Sequence, residues 1–403
     1  MGDSGSHSLD HVPGALDDVV VVDFTRVLAG PLATMLLADY GATVIKIERP
    51  GGGDDTRSWG PPHDEAGDAT YFQAVNRNKR SVVLDLARPD DLGVARELAS
   101  AADVVVENFR PGVMDRFELG YDRLAEANPG LVYCSITGFG SGKGARMPAY
   151  DLLLQALGGL MSITGDPESE PQKVGVALVD VIAGLFATTG IFAALRHRDA
   201  TGEGQLVEVD LLSSLLAALV NQASGYTAGG SLPRRLGNAH PSIAPYELLA
   251  TASGDLVVAV GNDRQFGALC QVLECPEVAS DPRFATNDVR VRNRDELRSL
   301  LEGRLAAAPA SDWLGPLLEA GVPAGEVNDI AGAFALAERL GLDPIVELDD
   351  DERTVRLPRN PVRLSDTPAR HDAPPPRIGE LAPEEALDLV ARARSRGRPD
   401  HHR

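Results

Sequence analysis

Short β-branched apolar runs alternate with amphipathic stretches along the first half of the chain. The apolar runs are typical of buried parallel strands and cover residues 19–24, 42–47, 81–86, 103–106, 131–136 and 205–209. The intervening stretches show helical spacing and cover residues 32–40, 91–100, 121–127, 182–197 and 211–223. This alternation predicts an α/β domain with a Rossmann-like parallel sheet and helices on both faces.

The second half of the chain has a different pattern. Residues 225–245 are rich in Gly, Pro, Ser and Asn, which indicates a hinge or long loop. Beyond it, the pattern predicts paired strands over 246–260 and helices over 264–273, 294–307 and 311–321. From about residue 347 the chain reads as extended and punctuated by prolines, and a last short helix is predicted over 383–393. We therefore predict four regions: a flexible N-terminus (1–15), a large α/β domain (16–224), a small α+β domain (225–335) and an extended segment that returns to the large domain (336–403).

Charge limits the kinds of partner. The chain of 403 residues has a formal net charge of −21, which argues against nucleic acid as a general partner. Its only lysines are Lys46, Lys79, Lys143 and Lys173, so arginine supplies the rest of the 38 basic residues. An anionic ligand must therefore be held by local arginines and helix N-termini.

Cysteine, histidine and apolar content give further expectations. The three cysteines are too scattered for a disulfide framework or metal cluster, which fits a reducing cytoplasm. The histidine pair with helical spacing, His7 and His11, lies in the polar N-terminus, so we expect no metal site. That N-terminus lacks the apolar core of a signal peptide. The apolar runs also read as shorter than the roughly 20 residues that cross a bilayer, so we expect no membrane partner.

Two loops suggest nucleotide binding but lack the required residues. Residues 25–31 have one glycine where the dinucleotide fingerprint needs three, although Glu48 is spaced like the acidic residue that binds a ribose. Residues 138–144 are glycine-rich, but Lys143 is not followed by Ser or Thr, and Thr137 stands where a P-loop needs glycine. Neither loop predicts NAD or nucleotide binding.

Asp180 lies alone in the apolar stretch of residues 174–187. An ionised carboxylate in such surroundings is costly unless it is hydrogen-bonded. One interpretation is that Asp180 caps the helix that follows it. The other is that a desolvated carboxylate at a helix N-terminus acts as a covalent nucleophile. The segment alone favours the cap, and one carboxylate can do both.

A series of motifs resembles the family III CoA-transferases, the group typified by formyl-CoA transferase and carnitine CoA-transferase, which also contains the α-methylacyl-CoA racemases. The similarity extends from about residue 19 to residue 380. It is carried, in order, by residues 23–31 (DFTRVLAGP), 46–54 (KIERPGGGD), 76–81 (NRNKRS), 107–112 (ENFRPG) and 133–140 (YCSITGFG).

The resemblance assigns roles to individual residues. The family's catalytic aspartate corresponds to Asp180. The residues that match the family's CoA site are Val27, Ala29, Arg49, Leu84, Asn108, Phe109 and Arg116. Guanidinium groups suit the adenosine and phosphate parts of CoA, although Arg49 and Arg116 also fit ordinary surface pairs. Core packing is the alternative for Val27, Ala29 and Leu84.

Two departures from the family pattern refine the assignment. Tyr150, followed by Asp151, stands where the racemase branch has histidine, and tyrosine with an ordinary pKa of about 10 is a poor base. This favours the transferase branch and makes Tyr150 a substrate-site residue. Residues 237–245 stand where formyl-CoA transferase has a glycine-rich loop, which disfavours formyl transfer. His240 and Ser242 become candidates for acceptor recognition, with a structural role in the loop as the alternative.

The resemblance therefore implies CoA transfer from an acyl-CoA donor, with succinyl-CoA the nearest match, to a small carboxylic or dicarboxylic acid such as mesaconate, citramalate, malate or a hydroxymethylglutarate. It implies an aspartyl anhydride and an aspartyl-CoA thioester, with helix-start N–H groups available to stabilise oxyanions. CoA is then a substrate, and no permanently bound cofactor is expected. Arg234 and Arg235 are possible partners of the acceptor's second carboxylate. The expected assembly is a homodimer of interlocked rings. A racemase, a nicotinamide-dependent enzyme and a non-catalytic acyl-CoA-binding homologue remain the alternatives.

Overall fold

The structure is a computed structural model that describes residues 14–350 and 353–396. Most of the predicted flexible N-terminus, with His7 and His11, and the last seven residues of the predicted C-terminal segment lie outside the described residues. The chain divides into two compact units. Of the described residues, the first unit contains 14–158, 175–223, 343–350 and 353–396, and the second contains 159–174 and 224–342.

The first part of the chain alternates strands and helices as predicted. In order, its elements are β1 (Val20–Asp23), α1 (Ala29–Asp39), β2 (Thr43–Glu48), a 3-10 turn (Asp55–Ser58), α2 (Thr70–Gln73), β3 (Lys79–Val83), α3 (Pro89–Ala101), β4 (Val104–Glu107), α4 (Val113–Arg116), α5 (Tyr121–Ala127), β5 (Val132–Thr137), α6 (Asp151–Leu157), α7 (Leu160–Ile163), α8 (Leu178–Thr201), β6 (Leu206–Asp210), α9 (Leu211–Ala218) and α10 (Val220–Thr227).

A six-stranded parallel sheet forms the centre of the first unit, in the order β3-β2-β1-β4-β5-β6. The valines of β1 and β4 are fully buried because helices cover both faces, which explains why these strands are continuous apolar runs. The prediction of a Rossmann-like α/β domain is confirmed. The strand order reverses between β1 and β4, and a doubly wound sheet binds ligands outside the carboxyl ends of its strands at such a point.

Helix α8 corrects the statement that the apolar runs are short. It has 24 residues with a mean hydropathy of 2.0 over its most apolar window, so by length and composition alone it is long enough to cross a membrane. One such helix is weak evidence for a membrane span, and α8 packs against α1, α9 and strands β5 and β6 of the sheet. Gly184 allows the close approach to α1, because a Cβ there would lie 2.6 Å from the carbonyl oxygen of Ala29.

The remaining elements follow in chain order. They are β7 (Tyr246–Ala250), β8 (Asp255–Ala259), α11 (Asp263–Val272), α12 (Pro276–Ser280), α13 (Asn287–Arg292), α14 (Arg294–Leu305), α15 (Ala310–Glu319), β9 (Ala324–Glu326), α16 (Ile330–Arg339), β10 (Ile345–Asp349), β11 (Thr354–Pro358) and α17 (Pro383–Arg396). Strands β7, β8 and β9 form an antiparallel sheet, and helices α11 and α14 contribute to a separate core in the second unit. This is the α+β composition that the sequence predicts.

Three details differ from the predicted regions. Residues 159–174, assigned to the large domain, group with the second unit, because the Arg235 guanidinium donates hydrogen bonds to the carbonyl oxygens of Asp166 and Ser169. The boundary at residue 335 falls inside α16, which the sequence analysis did not predict. The stretch from residue 347 contains the β10–β11 hairpin rather than only extended chain. Helix α17 packs against α3 and three strands of the sheet.

Candidate active site

Two adjoining cavities open at the carboxyl ends of the parallel strands in the first unit. The first has a volume of about 350 Å³ and contains Asp180, and the second has a volume of about 330 Å³. Arg26 and Phe109 line both cavities, and the Arg26 guanidinium lies 4.8 Å from the centre of the Phe109 ring. Cavities at this edge of the sheet agree with the position that the strand order favours for a ligand.

The residues selected from the sequence divide between these cavities. Val27, Ala29, Asn108 and Tyr150 line the first cavity together with Asp180. Arg49, Leu84 and Arg116 line the second, and Phe109 lines both. The structure thus brings together in two neighbouring cavities every residue of the predicted site except His240.

The loop between β1 and α1 forms the wall of the first cavity. Asn108 clamps it, because its Oδ1 accepts a hydrogen bond from the Arg26 N–H at 2.9 Å and its Nδ2 donates to the Arg26 carbonyl at 2.7 Å. Val27 has a φ of +70°, an uncommon conformation for a β-branched residue. Its N–H lies 3.3 Å from Asp54 Oδ1. Strain of this kind persists only where surrounding contacts impose it.

A buried ion cluster supports this loop from beneath. Lys46 Nζ lies 3.0 Å from Asp54 Oδ2 and donates to the Thr25 carbonyl at 2.9 Å. Lys79 Nζ lies 3.1 Å from Asp23 Oδ2. Burial raises the pKa of Asp23, but the charges of Lys79 and Lys46 and two threonine hydroxyls outweigh it and hold the pKa at about 2. Sequence reasoning missed this cluster; Lys46 lies within a predicted apolar strand, but Lys79 precedes the apolar run predicted over residues 81–86.

Asp180 is the third residue of α8 and does not cap it. The N-cap position is Ala177, so the interpretation of Asp180 as the helix cap is wrong. Within the described part of the chain, the Asp180 carboxylate has no hydrogen-bond or ion-pair partner. Burial, and then the negative charge of Asp151, raises the pKa of Asp180 to about 7. A half-buried carboxylate without a partner is therefore exposed to the cavity.

Asp151 supplies the cap that Asp180 does not. Its Oδ1 accepts a hydrogen bond from the Val179 N–H at 2.8 Å, and the Leu178 N–H donates to the Val176 carbonyl at 2.8 Å. These two helix-start N–H groups are therefore engaged within the protein, and the expectation that helix-start N–H groups stabilise an oxyanion stays a prediction. Sequence reasoning left the role of Asp151 unassigned because its partner lies 28 residues away.

Tyr71, whose hydroxyl responds to the charge of Asp180, was also missed. Burial, and then the negative charges of Asp180 and Asp151, raise the pKa of the Tyr71 hydroxyl. Tyr71 packs edge-to-face against Trp59, with ring centres 5.3 Å apart. Tyr71 lies on the short helix α2, and no pattern in the sequence indicated that it interacts with Asp180.

The second cavity combines core residues with exposed arginines. Leu84 is only 2% exposed and belongs to the hydrophobic core, yet it lines this cavity, so the two interpretations of Leu84 are compatible. Arg49 is exposed, pairs with Asp55 and donates from Nε to the Gly53 carbonyl at 3.1 Å. Arg116 is exposed at the end of α4. Arg49 therefore both forms a surface ion pair and lines the second cavity.

Glu107 fixes the wall that the two cavities share. It ends β4, and its Oε2 accepts a hydrogen bond from the Phe109 N–H at 2.8 Å. Burial raises the pKa of Glu107 to about 7, despite a hydrogen bond from Ser135 and the one from Phe109. Phe109 is thereby held at the end of the strand.

The second unit contains the remaining candidates, and they line neither cavity. His240 packs against Tyr246 with ring centres 5.4 Å apart, and its Nδ1 accepts a hydrogen bond from the Ser242 N–H at 3.1 Å. These contacts correspond to the structural role that the sequence analysis left open. Arg235 binds backbone carbonyls, and Arg234 is exposed. Across the described residues, His, Cys, Asp and Glu form no group of three or more that could hold a metal ion.

Fold and cavities together define a class of protein: an α/β enzyme with a partnerless carboxylate at the switch point of a parallel sheet. The chain belongs to CoA-transferase family III, whose model matches residues 16–381. It is a CoA-transferase of the transferase branch, as the resemblance implied.

Two relatives and one solved structure illustrate the similarity. The chain is 44% identical to a succinate–glutarate CoA-transferase of Agrobacterium fabrum, over 93% of this chain and 97% of that protein. It is 42% identical to an acetyl-CoA:oxalate CoA-transferase of Acetobacter aceti, over 90% and 92% of the two chains. A crystal structure of a CAIB/BAIF family protein from Brucella suis matches with a TM-score of 0.82 and 42% identity, over 94% of this chain and all of that one.

Proposed function

We propose that this enzyme transfers CoA from succinyl-CoA to a small dicarboxylic acid, with Asp180 as the covalent nucleophile. The observation that carries the proposal is the partnerless Asp180 carboxylate in the first cavity, with its pKa raised to about 7. A desolvated carboxylate of raised basicity is an activated nucleophile, and a pKa near 7 lets it titrate around neutral pH.

The proposed exchange proceeds in four steps. A carboxylate oxygen of Asp180 attacks the thioester carbonyl, the C–S bond breaks, and CoA thiolate leaves a mixed aspartyl anhydride. The thiolate then attacks the aspartyl carbonyl and releases the donor acid, which leaves CoA as a thioester on Asp180. The acceptor carboxylate attacks that thioester, and the freed thiolate finally attacks the acceptor carbonyl. Each step exchanges one acyl bond for another, so the thioester's free energy is conserved if water is excluded.

The two cavities fit the two ends of a CoA thioester. Arg49 and Arg116 give the second cavity the cations that suit phosphate and adenine groups. The first cavity contains Asp180 and therefore suits the acyl end. Arg26 and Phe109 stand at the junction, where a single elongated ligand would pass from one cavity to the other.

Glutarate is the acceptor we propose to test first. The relative from Agrobacterium fabrum is named for succinate and glutarate, and the relative from Acetobacter aceti for acetyl-CoA and oxalate. Both names contain a dicarboxylic acid, which supports this class of acceptor. Mesaconate, citramalate, malate and oxalate complete the panel, with succinyl-CoA and acetyl-CoA as donors and mass spectrometry of new thioesters as the readout.

A matched pair of variants tests the nucleophile. Asp180→Ala should abolish exchange, whereas Asp199→Ala removes an exposed carboxylate from the same helix and should leave it intact. The wild type incubated with succinyl-CoA should gain the mass of CoA on a peptide that contains Asp180, and hydroxylamine should inactivate it only after that exposure. Full exchange activity in Asp180→Ala would refute the assignment.

The same experiments separate the alternatives. A racemase would exchange the α-hydrogen of its acyl-CoA with deuterium from solvent, and among the described residues no histidine lines either cavity to serve as its base. A non-catalytic binding protein would bind CoA thioesters without forming a covalent adduct.

We further propose that the enzyme is a homodimer of interlocked chains. The supporting observation is exposed apolar surface on both units, of the kind that marks protein interfaces. In the first unit Leu185 and Phe186 of α8 and Leu216 of α9 are about half exposed. In the second unit Val327 and Ile330 are more than two-thirds exposed.

A further inference from the structure

Asp151 connects the beginnings of two helices at the candidate active site. It is the first residue of α6, and its Oδ1 accepts the hydrogen bond from the Val179 N–H of α8 at 2.8 Å. Its Oδ2 accepts a hydrogen bond from Gln155 Nε2 at 2.6 Å. Gln155 is fully buried, and its Nε2 also lies 3.3 Å from the Val176 carbonyl oxygen. The segment that leads into Asp180 is therefore held from α6 at two points.

This arrangement divides two tasks between two carboxylates. A helix is usually capped by the side chain at its own N-cap position, but Ala177 offers no acceptor there. Because Asp151 caps α8 from another helix, Asp180 is left free of hydrogen bonds. The other titratable or charged groups around the first cavity are Tyr71 on α2, Tyr150 beside Asp151, and Arg26, Asp55 and Arg110 on its loops.

We propose that Asp151 is a positioning residue for the covalent step. Asp151 holds the start of α8, and its negative charge disfavours the free Asp180 carboxylate relative to the acylated forms of Asp180. This inference rests on the proposed function of Asp180. When Asp180 forms the anhydride, its oxygen makes the new C–O bond, the C–S bond breaks, and the negative charge leaves with the thiolate. The repulsion between the two carboxylates is thereby relieved in the anhydride and in the enzyme thioester.

Substitutions can separate the charge of Asp151 from its hydrogen bonds. Asp151→Asn keeps an acceptor for the Val179 N–H and removes the charge. Gln155→Met keeps the charge and removes one anchor of the segment. Asp329→Asn is the matched control, because Asp329 caps α16 in the second unit through the Gly332 N–H at 2.7 Å and lines neither cavity.

The measurement is the rate and extent of enzyme thioester formation from succinyl-CoA, followed by intact mass between about pH 5 and pH 9. Asp180 must be ionised to attack, so the wild-type rate should fall as the pH drops through about 7. Asp151→Asn should move this fall to lower pH and reduce the fraction of enzyme held as thioester. Gln155→Met should keep the pH dependence and lower the rate by roughly tenfold or more, the cost of a misplaced reacting group. Asp329→Asn should change neither the pH dependence nor the rate of thioester formation.

The inference is overturned if folded Asp151→Asn keeps both the wild-type pH dependence and the wild-type thioester fraction. Should that variant fail to fold, Asp151→Ser provides a neutral acceptor at the same position. The inference is then overturned if Asp151→Ser keeps both the wild-type pH dependence and the wild-type thioester fraction. Absence of any adduct in the wild type would instead refute the proposed nucleophile, so the two failures are distinguishable.

Discussion

Replacing Lys79 by methionine tests whether the buried ion cluster stabilises the loop that lines the first cavity. Lys79 is 1% exposed, and its Nζ lies 3.1 Å from Asp23 Oδ2. It also donates to the Pro31 carbonyl at 2.8 Å and to Asn76 Oδ1 at 2.9 Å. Methionine fills a similar volume without a charge or a donor. Asn76 Oδ1 would lose its donor, and Asp23 Oδ2 would lose its ion pair but keep the hydrogen bond from the Thr34 hydroxyl at 2.6 Å. Lys46 would remain as the cation near Asp23.

The expected loss of stability follows from these contacts. Removing one partner of a buried ion pair costs about 3–5 kcal/mol, because the other charge stays buried. The orphaned acceptor at Asn76 would cost about 1–3 kcal/mol, whereas the Pro31 carbonyl lies within α1 with the Thr34 hydroxyl 3.2 Å away and is not orphaned. These contributions overlap, and the new apolar contacts offset part of them. We therefore expect the free energy of unfolding to fall by about 3–5 kcal/mol. Combining Lys79→Met with Asp23→Asn should cost less than the sum of the single changes, since the stranded charge is removed as well.

The two tryptophans allow each unit to be followed separately. Trp59 lies in the first unit and Trp313 in the second. In a Trp313→Phe background, urea unfolding monitored by Trp59 should show the loss caused by Lys79→Met. In a Trp59→Phe background, the transition monitored by Trp313 should shift less. Lys143→Met, at an exposed lysine of the same unit, is the control and should change the free energy of unfolding by no more than about 0.5 kcal/mol.

Two results would contradict this reasoning. One is a loss below about 1 kcal/mol in the transition monitored by Trp59, which is the range of an exposed ion pair. The other is simple additivity in the double variant, which would mean that Asp23 and Lys79 do not stabilise each other. All variants must be compared at one protein concentration, because the proposed dimerisation would contribute to apparent stability.

Two further outcomes are expected. Arg49→Ala should raise KM for CoA thioesters by about tenfold with little change in kcat, which corresponds to roughly 1.4 kcal/mol of lost binding free energy. Steady-state kinetics measure this effect. The control is Arg80→Ala, which removes an exposed arginine that pairs with Glu380 outside both cavities. A KM effect of equal size in both variants would contradict a ligand-facing role for Arg49. Sedimentation equilibrium should give twice the chain mass of 42.6 kDa, and a monomer at micromolar concentration would refute the proposed dimer.

The parallel sheet could be predicted because buried parallel strands must be apolar on both faces. The runs at residues 103–106 and 131–136 show this directly in the sequence. The β10–β11 hairpin was missed although its residues alternate between buried and exposed, because charged and proline residues interrupt the pattern. Helix α16 was missed although Asp329 precedes its apolar residues as a typical N-cap.

The candidate site was predictable to the extent that its chemistry is local. Asp180 stands out because a lone acid in an apolar stretch needs a reason. The cap from Asp151 depends on a contact across 28 residues, and the pair of Lys79 with Asp23 on a contact across 56. Lysines are rarely fully buried without a partner, so their burial could be inferred only once the sheet brought the partner acids into reach.

The division of the cleft into two cavities has an evolutionary consequence. In the proposed reaction the CoA moiety of the thioester lies in the cavity lined by Arg49 and Leu84, and the acyl group lies in the cavity lined by Asp180 and Tyr150. Substitutions in the cavity for the acyl group can then change which acid is accepted, while the cavity for the CoA moiety is preserved. Under the proposed function, this separation would account for relatives at 44% and 42% identity to this chain that are named for acids as different as glutarate and oxalate.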